Sequence, residues 1–270
     1  MMHVQYEHRG YMDKRKAEII DMLGSSEQVS VREMAERFGV SGMTIRRDLD
    51  ELEKQGLVVR THGGAVSSGK LRFIHGALPD FEVSEVKAAI GKRAAEMVQP
   101  GQMIMVDTGT TALEVARHLP RDSGITVVTT SLGAAQELYR SGLSVLLLGG
   151  FLRWEFPSVY GPMTEKMLGE IRVDTLFIGC DGAFVDDGFY SNDLHVSSLE
   201  QEMTQIASQV VVVTESTKFG KRAFSRYATV DEVNVVVTDA GISDQDRRGL
   251  EERGVTVVSV EHSSTSTPTQ

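Results

Sequence analysis

An α/β domain with a largely parallel sheet, preceded by a small unit of three helices and a hairpin, is the fold this 270-residue sequence predicts. Two observations predict it. From Gly101 onward, apolar runs of strand length alternate with small polar loops and helical stretches, the syntax of a parallel sheet covered by helices. Before residue 67 the apolar periods are helical, and two short apolar runs flank Gly63-Gly64. The expected division is a small domain over residues 10–66, a linker over 67–83, a larger domain over 84–261 and a disordered tail over 262–270.

The first helix is expected from Asp13 to Leu23, with Ile19, Ile20 and Leu23 on one side. Ser30-Val31-Arg32-Glu33 has capping-box spacing, so Ser30 starts a second helix with Val31, Met34, Ala35 and Phe38 as its apolar face. Gly39-Val40-Ser41 is a tight turn. Ser41 caps a third helix that runs to about Gln55 and is closed by Gly56. On that helix Ile45, Leu49 and Leu52 fall within about 60° of one another, a stripe that can be buried. Met43 and Arg47 point away from it, with Thr44 and Arg46 on the flanks. Leu57 to Arg60 reads as a strand, and Thr61 to Val66 as a turn with a return strand, which makes a wing.

A helix with a narrow apolar back and an arginine-bearing front suits a DNA groove, so the unit reads as a winged helix-turn-helix. Arginine can bond the O6/N7 edge of guanine in two places or clamp a phosphate. Hydroxyls near a helix N-terminus can donate to phosphate where the dipole favours an anion. The candidate DNA-binding residues are Ser41, Met43, Thr44, Arg46, Arg47, Arg60 and His62, with Lys14, Arg15 and Lys16 as added backbone contacts. A protein-interaction hairpin with solvated arginines is the competing reading of the same residues. Formal net charge is −10, of which residues 1–66 carry −1 and residues 67–270 carry −9. DNA affinity must therefore rest on a local basic surface, beside an acidic body that repels the duplex elsewhere.

In the second domain an amphipathic helix from Ser84 to Val98 comes first. Strand-like runs then lead into polar loops. Met103–Val106 leads into Asp107-Thr108-Gly109-Thr110-Thr111, and Ile125–Val128 into Thr129-Thr130-Ser131. Val145–Leu148 leads into Gly149-Gly150 with Arg153 nearby, and Thr175–Ile178 into Gly179-Cys180-Asp181-Gly182. Val210–Val213 leads into Thr214 to Lys218, Val233–Val237 into Thr238-Asp239, and Val255–Val260 closes the set. Ligands of such sheets bind beyond the carboxyl ends of strands, where these loops lie. Gly109 allows close backbone approach, and Thr110 and Thr111 bring hydroxyls and N–H groups to a helix start, so Asp107–Thr111 is the best phosphate candidate. It is not a Walker loop. The candidate effector residues are Asp107, Gly109, Thr110, Thr111, Thr130, Ser131, Gly150, Arg153, Asp181 and Lys218. The histidines, His195 included, show no metal spacing and are read as structural; neither metal nor cofactor is expected. The single cysteine, Cys180, cannot form an intramolecular disulfide. No signal-like or membrane-length apolar run is present, and a cytoplasmic location is the expectation.

The run from Arg15 to Val66 resembles the N-terminal domain of the DeoR family of bacterial transcriptional regulators. Thr44-Ile45-Arg46-Arg47-Asp48-Leu49 and Arg60-Thr61-His62-Gly63-Gly64-Ala65 carry the likeness. The second half resembles the effector domain of that family through Asp107-Thr108-Gly109-Thr110-Thr111, Asp181-Gly182-Ala183 and Ser216-Thr217-Lys218-Phe219-Gly220. The resemblance implies a ribose-5-phosphate-isomerase-like domain that binds a sugar phosphate, and a repressor of carbohydrate or polyol catabolism. It also implies double-stranded operator DNA and a homo-oligomer as partners, and no membrane. Thr130 stands where the family often has Asn, and Glu215 where Asp is frequent. Ser198 and Glu200 stand where the family often has Glu and Lys, and a carboxylate at 200 would repel a phosphate if it faced the pocket. A sugar-phosphate isomerase carrying a DNA-binding domain is the alternative, but the Lys-Gly-Gly-Gly segment and following Glu of those isomerases have no counterpart here. No catalytic residue is assigned.

Overall fold

A computed structural model describes residues 14–24, 29–54, 58–61, 63–67, 84–139, 141–153 and 157–261. The expected closure at Gly56, the wing residue His62, the connector beyond Ser67, and the tail from 262 lie outside them. The chain divides into two units, Met1–Asp80 and Phe81–Gln270. No helix among the described residues is long and apolar enough to cross a membrane.

In the first unit the order is α1 (Lys14–Gly24), β1 (Val29–Ser30), α2 (Val31–Phe38), α3 (Gly42–Lys54), β2 (Val58–Arg60) and β3 (Gly64–Ser67). The capping box forms: Ser30 Oγ accepts from the Glu33 N–H at 3.1 Å, and the Glu33 carboxylate accepts from the Ser30 N–H at 2.8 Å. Helix α2 ends at Gly39, whose φ of +63° lies where glycine carries no Cβ penalty. That turn delivers Ser41, whose Oγ accepts from the Thr44 N–H and starts α3. Ile45, Leu49 and Leu52 are fully buried with Ile19, Leu23, Met34 and Val58. Strands β2 and β3 pair antiparallel as the wing, and β1, which sequence reasoning did not foresee, pairs with the other edge of β3.

Two basic residues of α1 have a structural task that the sequence did not announce. Arg15 clamps the buried Asp48 of α3 through Nε at 2.6 Å and Nη2 at 3.1 Å. Lys16 pairs with Glu51 on the same helix. These cations brace the third helix, because each meets a carboxylate of α3.

The second unit carries a seven-stranded sheet. Its strands are β4 (Met103–Val106), β5 (Thr126–Thr129), β6 (Ser144–Leu147), β9 (Val173–Ile178), β12 (Ala207–Val213), β14 (Val235–Asp239) and β15 (Thr256–Val260). The order is β15-β14-β12-β9-β4-β5-β6, and every pairing is parallel. Alternate residues face opposite layers. Ile104, Val106, Phe177, Val211 and Val213 pack under α4 (Glu85–Ala95), α5 (Thr110–His118) and α6 (Leu132–Leu138). Met105, Leu176, Ile178, Val210 and Val212 pack against α7 (Pro162–Gly169), α8 (Leu194–Ile206) and α9 (Asp244–Glu252). Helices α4 and α5 approach so closely at Gly91 that a Cβ there would fall 2.4 Å from the Glu114 side chain. Outside the sheet lie a hairpin of β7 (Phe151–Leu152) with β8 (Val159–Tyr160), and an antiparallel trio of β10 (Gly182–Phe184), β11 (Gly188–Ser191) and β13 (Ser225–Ala228).

Replacing Arg15 by Ala leaves the buried Asp48 without its guanidinium. This should destabilise the first unit by about 2 kcal/mol, less than for a fully buried pair because Arg15 is partly exposed. Hydrogen exchange of the α3 amides measures it, and the double replacement Arg15→Leu with Asp48→Leu should recover most of the loss. Unchanged protection in the single variant would show that the pair carries no stability.

Candidate functional site

Helix α3 turns an outward face to solvent. Met43 is 71% exposed, Arg46 and Arg47 are exposed, and Thr44 is half-buried with its hydroxyl 3.0 Å from that of Ser41. Arg47 approaches Glu51 only at 4.0 Å, so its guanidinium stays available. Ser41, Met43, Thr44, Arg46 and Arg47 are thus gathered at the first two turns of one helix. Arg60 differs. Its guanidinium is engaged by Asp50 of α3, and its N–H donates to Glu53 at 3.0 Å, so it ties the wing to the helix.

A cleft of about 440 Å³ opens at the carboxyl ends of the adjacent strands β4, β9 and β12. The chain proceeds from β4 outward through β5 and β6, then returns to place β9 on the other side of β4. Such a reversal leaves a crevice between diverging loops, the usual ligand position in open parallel sheets. Asp107, Thr108, Gly109, Thr110 and Thr111 line it from the end of β4 and the start of α5. The first N–H groups of α5 have no intrahelical partner and carry the positive end of its dipole. Arg153, Asp181 and Lys218 line the same cleft. Lys218 has no ion-pair partner among the described residues. Arg153 bonds Asp193 at 3.0 Å, and Asp193 in turn caps α8 by accepting from the N–H groups of His195 and Val196. Asp181 accepts from the Asn192 N–H at 2.9 Å.

Three predicted effector residues stand apart from that cleft. Thr130 is buried and borders a small cavity behind it, together with Thr108, Arg153, Tyr160 and Glu200. Ser131 is spent on capping α6, its Oγ accepting from the Ala134 N–H at 3.1 Å. Gly150 lies outside both spaces, in a turn held by the Thr164 hydroxyl donating to the Gly149 carbonyl. Conversely, Lys87 of α4 enters the cleft and pairs with Glu215 at 3.6 Å. Ser191, Asn192, Val196 and Glu200 enter from β11 and α8. The only sequence signal for these was Glu200, flagged by its departure from the family pattern. Ser198, its companion in that departure, is exposed.

The inner wall is acidic. Burial pushes the Asp107 carboxyl up to about 7, against the hydrogen bonds of Thr108 and the charge of Arg153. Burial, then the neighbouring Asp107 charge, raises Glu200 well above the usual carboxylate range. Burial likewise pushes the Cys180 thiol up to about 12, so this cysteine stays protonated and donates to the Thr214 hydroxyl at 3.2 Å.

Residues 15–70 match the DeoR-like helix-turn-helix domain, and residues 82–240 match the DeoR C terminal sensor domain. The HTH-type transcriptional regulator GlpR of Haloferax volcanii is 36% identical over 248 residues, covering 91% of this chain and 96% of its own. The glycerol-3-phosphate regulon repressor of Escherichia coli strain K12 is 31% identical over 234 residues, covering 82% and 88%. The structure of ribose 5-phosphate isomerase A from Methanocaldococcus jannaschii aligns with a TM-score of 0.38 at 19% identity, over 49% of this chain and 53% of its own.

Because both inner carboxyls are raised, Asp107 to about 7, the folded chain holds protons above the usual carboxylate range that the unfolded chain has released. Their contribution to stability therefore falls as pH rises above that range. Glu200→Gln should gain stability over the parent, by on the order of 1 kcal/mol at about pH 8 and less at about pH 5. Thermal unfolding at both values measures this; a gain that shrinks at the higher pH contradicts the sign.

Proposed function

We propose that this chain, which belongs to the DeoR family of transcriptional regulators, represses genes of carbohydrate or polyol breakdown, and that a small phosphorylated metabolite changes its hold on operator DNA. The cleft carries this reading: a helix N-terminus, two threonine hydroxyls and a lysine without an ion-pair partner among the described residues converge at the carboxyl ends of central strands. That is a phosphate-binding chemistry with hydroxyl-bonding groups beside it. The name of the Escherichia coli relative supports a phosphorylated polyol or sugar as the ligand class. The relatives that match along most of their length are regulators, which favours regulation over isomerase catalysis.

The reading of operator DNA falls to Ser41, Met43, Thr44, Arg46 and Arg47. Arg60 is already held by Asp50 and is assigned to the fold of the wing. The effector residues are Asp107, Gly109, Thr110, Thr111, Arg153, Asp181 and Lys218, joined by Lys87 and Ser191. Helix-turn-helix regulators read repeated half-sites as symmetric oligomers. The exposed Leu146 and Leu147 of β6, which lies at the sheet edge, and the exposed Phe151 and Leu152 of β7, the next strand in the chain, offer apolar surface for self-association. An effector coupling of about 1–3 kcal/mol would change operator affinity about 5–150-fold.

Two substitutions separate the reader from the sensor. Arg47→Ala should cost at least about 1 kcal/mol of binding to the DNA upstream of the chain's own gene, measured by fluorescence anisotropy; unchanged affinity removes this face from the operator. Thr110→Val should leave DNA affinity intact and weaken the response to sugar phosphates about tenfold, the loss of one hydrogen bond to a charged group. A full response in that variant displaces the phosphate from the α5 N-terminus.

A further inference from the structure

Asp107 and Glu200 are 2% and 6% exposed, and both border the cleft and the small cavity behind it. One Glu200 oxygen, Oε2, is buried with no hydrogen-bond partner among the described residues. The other cleft carboxylates are already occupied: Asp181 by the Asn192 N–H, Asp193 by Arg153 and its helix cap, and Glu215 by Lys87. A buried acceptor left unpaired is costly, and one on a cleft wall is satisfied when a ligand brings a donor.

The groups that favour an anion are placed elsewhere. Lys87, Lys218 and the N-terminal residues Thr110 and Thr111 line the cleft but not the small cavity. Arg153 borders both spaces, yet it is bound to Asp193. The inner wall instead offers hydroxyls and carboxyls: Thr108, Thr130, Ser158, Asp107 and Glu200. A phosphate reaching that wall would meet two acids with one compensated arginine. A sugar hydroxyl could donate to Glu200 Oε2 without adding charge.

We propose that Glu200, with Asp107 beside it, is a specificity-determining residue that seats an uncharged, hydroxyl-bearing end of the effector and excludes a second anionic group. The effector is then a sugar or polyol monophosphate, its phosphate at the α5 N-terminus and Lys218. This rests on the cleft being a sugar-phosphate site.

The test uses the full chain in calorimetric titrations. Fructose 6-phosphate is compared with fructose 1,6-bisphosphate, and glucose 6-phosphate with glucose 1,6-bisphosphate and glucosamine 6-phosphate. The parent should bind at least one monophosphate about tenfold or more tighter than its bisphosphate. Glu200→Lys should reverse that preference. Glu200→Gln, which keeps shape and removes the acid, should narrow it at least threefold at about pH 8, where ionisation of the inner acids is favoured, and it decides the matter if the lysine variant does not fold. Equal binding of both members of a pair by the parent, or a preference unchanged by either substitution, overturns the proposal while leaving the effector site standing. A tenfold preference for glucosamine 6-phosphate over glucose 6-phosphate also overturns it, since the acids then seat an ammonium. If no phosphorylated probe binds the parent, the sugar-phosphate reading fails and takes the proposal with it.

Discussion

The parallel alignment of β12, β9 and β4 is the constraint on which the second unit depends. Because all seven strands run one way, their carboxyl ends share one rim, and each connection must cross back over a face of the sheet, through an α-helix except between β12 and β14, where it returns through β13. The reversal of strand order beside β4 then leaves that rim uncovered at its centre. Polar residues on the rim need partners, and most find them within it. Thr129 donates to the Val106 carbonyl at 2.7 Å, and Asp239 accepts from the Ser216 N–H and hydroxyl, each at 2.6 Å. Those bonds hold Asp239 below its usual range despite the opposing burial. Asp107 and Glu200 receive less than they need, and their raised proton affinity is the result. Among the described residues of the second unit, the buried side-chain oxygens left without a hydrogen-bond partner are Glu200 Oε2 and Thr238 Oγ1, and of the two only Glu200 borders the cleft.

The first unit solves a different problem, which is to present a charged helix without burying its charges. Its apolar stripe is three residues wide, and the rest of α3 stays in water. Asp48 breaks the rule by lying in the buried face, and Arg15 reaches across to meet it. Arg60 likewise reaches α3 from the wing, there meeting the exposed Asp50. Cations that serve the fold are thereby separated from Arg46 and Arg47, which have no buried carboxylate to answer.

Much of this was legible because strong local signals and tertiary demands agree. The capping box at Ser30, the Gly39 turn and the Ile45-Leu49-Leu52 stripe all form as their spacing predicts. The seven sheet strands were visible as apolar runs; the inner ones are buried on both faces and have no polar alternation to obscure them, while the edges β6 and β15 are apolar although partly exposed. The trio of β10, β11 and β13 was not visible. Its segments are only three or four residues long, and they mix glycine, serine and aromatics without a period. Among site residues, loop composition pointed to Asp107–Thr111 but could not separate a ligand hydroxyl from a capping one, hence Ser131. Pairings such as Arg15 with Asp48 join residues far apart in sequence, and no local pattern announces them. Val196 and Glu200 share a helix face by their spacing of four, but which wall that face meets is decided only by packing.

The compact core around Ile19, Met34, Ile45 and Leu49 has a kinetic meaning. All of its buried apolar residues lie between Ile19 and Ala65, so its contacts close shorter stretches of chain than those of the sheet. The large sheet is otherwise: Ile104 pairs with Thr175, and β14 awaits β15 at Thr256–Val260. Local contacts form fast, and non-local parallel pairing is slow. On a chain emerging N-terminus first, the helix-turn-helix unit is synthesised whole before the first strand of the sheet, Met103–Val106, appears. Each newly made molecule thus passes through an interval in which the output exists and its input does not.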